Sequence, residues 1–233
     1  MWSPKYASLF FDLDDTLWDT THNNKACLEE LFYDYRFGSY YASFEDFYAI
    51  YMPHNLSLWA KYRNHEISRR TLILERLLHV LRPMGITDEA FAVKLNNDFL
   101  QRTTTKTKLL EGAIDLLEYL VPRYRLFILS NGFREIQFLK MQNAGLIPYF
   151  ERVLLSEDIS VQKPHKKIFD YALKNTNSRR TESLMTGDSW EADIAGAQNA
   201  GIDQVWFNPN HEEPKGPLPT FTIHSLPELM HIF

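Results

Sequence analysis

The stretch that decides the fold is Ala7-Ser8-Leu9-Phe10-Phe11-Asp12-Leu13-Asp14-Asp15-Thr16-Leu17-Trp18-Asp19. Its apolar run, Ala7 to Phe11, ends abruptly at carboxylates. A short continuous apolar run bounded by polar residues reads as a strand buried on both faces. On an extended backbone, residues two apart point to the same side. Asp12 and Asp14 therefore share one site at the carboxyl end of a strand, the edge where open α/β sheets bind ligands. Two carboxylates about 4 Å apart repel by roughly 4 kcal/mol at an effective dielectric near 20. Gathering them calls for a use, such as a metal ion or a shared proton.

Outward from this strand the pattern splits in two. From Asp19 to Lys106 it is helix after helix: Lys25 to Tyr35, Phe44 to Tyr51, Leu56 to Asn64, Ser68 to Leu81 and Asp88 to Arg102 carry helical apolar spacing. Ser68 and the Thr87-Asp88-Glu89 run supply helix starts, and Pro83 closes the fourth segment. From Leu109 onward helices and strands alternate. Strands are expected at Arg125–Leu129, Arg152–Leu155, Ser183–Thr186, Gln204–Phe207 and Phe221–Ile223, with helices at Gly112–Leu120, Phe133–Ala144, His165–Asn175 and Ala192–Ala200. Such alternation implies βαβ units and a parallel sheet. The fold class predicted is α/β, a doubly wound parallel sheet with an inserted all-helical domain. The core is residues 1–18 and 107–233; the insert is 19–106 and is expected over the acid-bearing edge of the sheet.

Bulk properties narrow the function. A net charge of −5 over 233 residues gives no basic signal for a nucleic-acid polymer. One cysteine, Cys27, cannot form an internal disulfide, which fits a reducing cytoplasm; in the helical insert it reads as a small buried side chain. No apolar run nears the roughly 20 residues that span a bilayer, and the N-terminus lacks the pattern of a signal peptide. The eight histidines show no metal-ligand spacing.

The chemistry-bearing residues fall at strand ends. Asp12 and Asp14 follow the first strand, Ser130 and Asn131 the second, and Asp188 with Asp193 the fourth; Lys163 precedes a helix. In a parallel sheet these ends lie on one side. A hard cation such as Mg²⁺ takes oxygen ligands and binds through one or two carboxylates plus phosphate. A lysine and a hydroxyl suit the remaining phosphoryl oxygens. Each residue also has a plain reading: Asp188 as a helix N-cap, Asp193 as an exposed helix acid, Lys163 as a solvated loop lysine.

Asp12-Leu13-Asp14-Asp15-Thr16, the strand ending at Ser130, Lys163-Pro164 and Gly187-Asp188-x-x-x-x-Asp193 resemble the four ordered motifs of the haloacid dehalogenase superfamily. The resemblance spans residue 10 to about 207 and implies a Rossmann-like core with a helical cap. It makes Asp12 the nucleophile and Asp14 the general acid and base. It implies Mg²⁺ held by Asp12, the backbone carbonyl of Asp14 and Asp188, with Asp193 behind them orienting water or Lys163. Ser130 and Lys163 bind the transferring phosphoryl group, helped by backbone N–H groups around Leu13 and Asn131. Thr16 is expected to tighten the loop. The dehalogenase branch lacks an aspartate two residues after its nucleophile, so Asp14 favours phosphoryl over halide chemistry.

The insert is dense in aromatics, from Phe32 to Tyr62. These read mainly as the core of a small helical domain, although aromatic rings can also stack a nucleobase. Trp18 either lines the entrance or packs the hinge. Phe10 to Leu17 together with Leu58-Trp59-x-x-Tyr62-x-x-x-x-Ile67-Ser68 resembles the bacterial pyrimidine 5′-nucleotidase branch. The resemblance implies an Mg²⁺-dependent phosphomonoesterase for a small phosphorylated metabolite, a nucleoside 5′-monophosphate, working as a monomer or homodimer without membrane or polymer partners. The alternatives are a sugar-phosphate phosphatase or phosphomutase, a 2-haloacid dehalogenase and a non-catalytic binding protein.

Overall fold

The computed structural model describes residues 5–233. Six strands form one parallel sheet: β1 (Ser8–Phe11), β2 (Arg125–Ser130), β3 (Arg152–Leu155), β4 (Ser183–Gly187), β5 (Asp203–Phe207) and β6 (Phe221–Ile223). Their order is β3-β2-β1-β4-β5-β6. The chain winds outward from β1 in one direction through β2 and β3, then in the other through β4, β5 and β6. The switch point lies at β1, where an open α/β sheet forms a ligand crevice.

Alternation along β1 explains its unbroken apolar run. Leu9 and Phe11 face one side, with Leu126, Ile128, Leu184 and Val205, and pack on the helix Ala113–Leu120. Phe10 faces the other, with Phe127, Leu129 and Met185, and packs on the helices Lys166–Thr176 and Gly196–Ala200. Helices on both faces leave no polar side to the strand. The helix Arg134–Asn143 follows β2.

Two compact units divide the chain: residues up to Thr20 with Thr107–Phe233, and Thr21–Lys106. In chain order the helices are α1 (Thr20–Asp34), α2 (Phe44–Arg63), α3 (Arg69–Leu81), α4 (Glu89–Thr105), α5 (Ala113–Leu120), α6 (Arg134–Asn143), α7 (Lys166–Thr176) and α8 (Gly196–Ala200). The second unit is helical. Its core gathers Phe32, Phe37, Phe44, Phe47, Tyr51 and Phe99, and Phe32 meets Phe44 and Phe47 edge-on at 5.8 and 5.7 Å. The aromatics of this unit thus mostly build its core, although Tyr33 and Tyr40 lie on the surface. Ser68 caps α3 by accepting from the Thr71 N–H at 3.1 Å. Asp88 caps α4 through the Ala90 and Phe91 N–H groups. Cys27 is fully buried.

Two elements differ from the sequence reading. The segments Phe44–Tyr51 and Leu56–Asn64 are one helix, α2, running through Pro53. The ring removes one backbone hydrogen bond, and packing on both sides of it carries the helix across. The segment expected as a helix from Ala192 begins earlier, at Trp190, as a π-helix to Ala195 before α8. No helix among the described residues is long and apolar enough to cross a membrane.

Candidate active site

Asp12 follows β1 directly, and its N–H donates to the Thr186 carbonyl at 2.9 Å, so it stands beside the end of β4. The Lys163 side chain, 2% exposed, reaches under the strand ends. Its Nζ donates to Asp12 Oδ1 at 2.7 Å, Asp193 Oδ1 at 2.6 Å and the Leu129 carbonyl at 2.7 Å. Three donors meet three acceptors, and the ammonium is saturated. This is no solvated loop lysine. Asn131 holds it in place: its amide accepts from the Lys163 N–H at 2.8 Å and donates to the Lys163 carbonyl at 3.0 Å. The Asn131 side chain is thereby committed, and what this residue has left to offer a ligand is its backbone N–H.

Asp193 is fully buried rather than exposed on a helix. Its Oδ2 accepts from the Ser189 N–H at 3.1 Å. Gly187 makes room for it, because a Cβ there would sit 2.3 Å from that same oxygen. Asp188 does not cap the following helical turn; Ser189 does. Asp188 instead exchanges two hydrogen bonds with Thr16: its N–H donates to Thr16 Oγ1 at 3.1 Å, and Oδ1 accepts from it at 3.2 Å. Thr16, fully buried, ties the loop after β1 to the end of β4.

Carboxylate oxygens of Asp12, Asp188 and Asp193 lie within 4.8 Å of one another. One ammonium faces three carboxylates, and the electrostatics record the imbalance. Asp12 is raised to about 7: burial pushes it up most, Lys163 pulls it down, and Asp193 and Asp14 push it up. Burial, with Asp193 and Asp12 beside it, raises Asp188 well above the carboxylate range. Burial alone would depress Lys163, but Asp12 and Asp193 outweigh it and raise it. An oxygen-only donor set with excess negative charge fits a hard divalent cation.

The Asp14 side chain turns away from this cluster. Its Oδ1 accepts from Lys140 Nζ at 2.7 Å and Thr20 Oγ1 at 2.8 Å, and its Oδ2 from Gln137 Nε2 at 2.6 Å. Burial would raise this carboxyl, but Lys140 and the donors around it hold it below its usual range. Lys140 also lies 4.1 Å from the centre of the Trp18 ring, which is fully buried. Ser130 Oγ accepts from the Gly132 N–H at 3.1 Å and from Gln137 Nε2 at 2.8 Å.

The structure therefore brings Asp12, Lys163, Asp188 and Asp193 into one cluster, with Ser130 and Asp14 joined through Gln137. Gln137 and Lys140 were not identified from the sequence. Their only signal is an i, i+3 spacing on the helix that follows Ser130.

The sequence profile described as haloacid dehalogenase-like hydrolase matches residues 9–207. The pyrimidine 5′-nucleotidase YjjG of Escherichia coli is 35% identical over 97% of this chain and 96% of its own. The pyrimidine 5′-nucleotidase PynA of Streptococcus pneumoniae is 32% identical over 97% and 94%. The crystal structure of the HAD-hydrolase YfnB of Bacillus subtilis, bound to magnesium, superposes with a TM-score of 0.89 at 30% identity, covering 98% of each chain. With that profile spanning most of its length and relatives of this identity over nearly all of it, the chain belongs to the haloacid dehalogenase-like hydrolase family.

Proposed function

We propose that this protein is an Mg²⁺-dependent phosphatase of nucleoside 5′-monophosphates that works through an aspartyl-phosphate on Asp12. The observation that carries the reading is the buried Asp12–Lys163–Asp193 chain with Asp188 beside it, a site with more negative charge than its one lysine neutralises. The Asp12 and Asp188 carboxylates and the Asp14 backbone carbonyl would hold the ion, with Asp193 steadying Lys163. Bound there, Mg²⁺ supplies positive charge to the phosphoryl oxygens.

The residues divide the work in two steps. An Asp12 oxygen attacks phosphorus, and the bond to the ester oxygen breaks. The electron pair leaves with that oxygen, which takes a proton from Asp14; the carboxylate that Lys140 holds ionised here must first take that proton from water. Asp14, now ionised, takes a proton from water as the water oxygen attacks the aspartyl-phosphate. Phosphate departs, and the bonding pair returns to the Asp12 carboxylate. Ser130 and the Asn131 backbone N–H bind the transferring group, and Lys163, whose three N–H bonds are taken by Asp12, Asp193 and the Leu129 carbonyl, adds positive charge beside it. The nucleotide assignment draws on the likeness to the two pyrimidine 5′-nucleotidases.

The test is phosphate release from a panel of nucleoside monophosphates and sugar phosphates, with Mg²⁺ and with chelator. Asp12→Asn is assayed alongside. Mg²⁺-dependent release from nucleotides, abolished in Asp12→Asn, is the expected result. Release from sugar phosphates alone would keep the chemistry and overturn the substrate. An isomerised sugar phosphate without free phosphate would identify a mutase.

A further inference from the structure

Gln137 sits where its hydrogen-bond polarity is forced. It is 1% exposed, and its Nε2 lies 2.6 Å from Asp14 Oδ2 and 2.8 Å from Ser130 Oγ. Lys140 and Thr20 both donate to Asp14 Oδ1, so this carboxylate stands as an acceptor, and the amide nitrogen, not the oxygen, faces its Oδ2. The two N–H bonds of that nitrogen then go to Asp14 and to Ser130. Ser130 Oγ already accepts from the Gly132 N–H. With both lone pairs engaged, the one hydrogen of Ser130 is left to donate elsewhere. The amide keeps this orientation although its Oε1 is buried with no partner. Gly132 is shaped around it: a Cβ there would lie 2.2 Å from Gln137 Nε2.

We propose that Gln137 is a positioning residue: by donating to both Asp14 and Ser130, it fixes Ser130 as a hydrogen-bond donor toward the phosphoryl group. The inference rests on the phosphatase reading above. It explains why a buried glutamine joins two residues with different tasks. A serine hydroxyl can donate or accept, and only the donating form suits a phosphoryl oxygen. Lys140, one turn along α6, occupies Asp14 Oδ1 and leaves Oδ2 to accept from the amide, which holds the amide the right way round.

The test compares Gln137→Glu with Gln137→Met. Glutamate keeps the shape but replaces a donor by an acceptor, so Ser130 turns its hydrogen to residue 137 and away from the ligand. Methionine removes the donor without competing for that hydrogen. A hydrogen bond to a charged partner is worth roughly 10–100-fold. Gln137→Glu is therefore expected to lower kcat/KM by about that factor, and Gln137→Met by a few-fold, about 5 at most. In a Ser130→Ala background the added loss from Gln137→Glu should shrink to about 3-fold or less. A second readout uses inorganic phosphate as the probe: it should raise the melting temperature of the wild type and of Gln137→Met, but not of Gln137→Glu.

A merely structural glutamine predicts the reverse order, since glutamate is the closer fit. Gln137→Met as damaging as Gln137→Glu, or a Gln137→Glu loss undiminished in Ser130→Ala, would overturn the inference. So would a wild type that phosphate does not stabilise. Phosphate stabilisation that follows the expected order, without turnover of any ester, would remove the phosphatase reading and leave this one standing.

Discussion

Replacing Lys163 by methionine tests the electrostatic core of the site. The ammonium donates to Asp12, Asp193 and the Leu129 carbonyl, all within 2.7 Å, with 2% of the residue exposed. Methionine fills the same space and leaves three acceptors without a donor. Removing one partner of a buried ion pair costs about 3–5 kcal/mol, because the remaining charge is stranded. At roughly 2–4 °C per kcal/mol for a chain of this size, the melting temperature should fall by about 6–20 °C in chelator at pH 7.5. The loss should shrink toward pH 5, where Asp12 takes up a proton and needs no cation. Adding Asp193→Leu to Lys163→Met should recover part of the stability, since it removes one stranded carboxylate. The assay is thermal unfolding followed by circular dichroism, for the wild type and both variants, at the two pH values. A Lys163→Met protein that melts within about 2 °C of wild type at pH 7.5 would refute the reasoning, as would a second substitution that lowers stability further by its full single-mutant cost.

Two further predictions follow from the same geometry. Asp12 is raised to about 7, above its unfolded value near 3.9, so it favours the folded state while protonated. That contribution is complete below about pH 4 and is lost as pH rises through 7. In chelator, wild type minus Asp12→Asn should therefore lose stability across this window, and millimolar Mg²⁺ should raise the melting temperature more at pH 8 than at pH 5. Equal Mg²⁺ effects at both values would count against the carboxylates as its ligands. Gly187→Ala places a Cβ 2.3 Å from Asp193 Oδ2 and 2.4 Å from its Cγ. Such overpacking costs about 1–3 kcal/mol. Because Asp193 must move off Lys163, turnover should fall by about tenfold or more; unchanged turnover would show that the site tolerates the shift.

The two parts of the site differ in how far the sequence reveals them. Asp12, Ser130 and Asp188 each stand where an apolar run stops. A strand buried on both faces writes its end plainly, as in Phe10-Phe11 with its side chains packed on opposite layers. Gln137 and Lys140 leave no such mark. On α6 they are buried, at 1% and 5% exposure, while Phe138 and Leu139 between them lie 37% and 43% exposed. Apolar periodicity read along this helix points its polar side at water, the reverse of what the fold does. The helix turns this way because Asp14 and Ser130 offer partners that only polar side chains can meet, a tertiary demand absent from local pattern. Pro53 misleads in the opposite sense. The helical spacing reads as two segments either side of it, yet α2 passes through it, and residues on both sides, Phe47 and Leu58, are buried.

The strand order explains why so few residues suffice. With β1 between β2 and β4, the ends carrying Asp12, Ser130 and Asp188 are neighbours by register: Phe11 lies opposite Ile128 on one side and Thr186 on the other. No long loop is needed to bring Asp12 to Asp188. Lys163 alone must reach in from a connection, and Asn131 at the end of β2 fastens that connection at both the N–H and the carbonyl of the lysine. The cation is thus positioned by the same strand that bears Ser130. Against it stand Asp12, Asp188 and Asp193, so the ionised cluster carries two negative charges in excess. A second lysine could have cancelled one of them, and the fold places one close by. Lys140, however, is spent on Asp14, outside the cluster. The fold has two buried lysines at this site and uses one of them on Asp14, apart from Asp12, which leaves the carboxylate cluster with negative charge that the proposed divalent ion would neutralise.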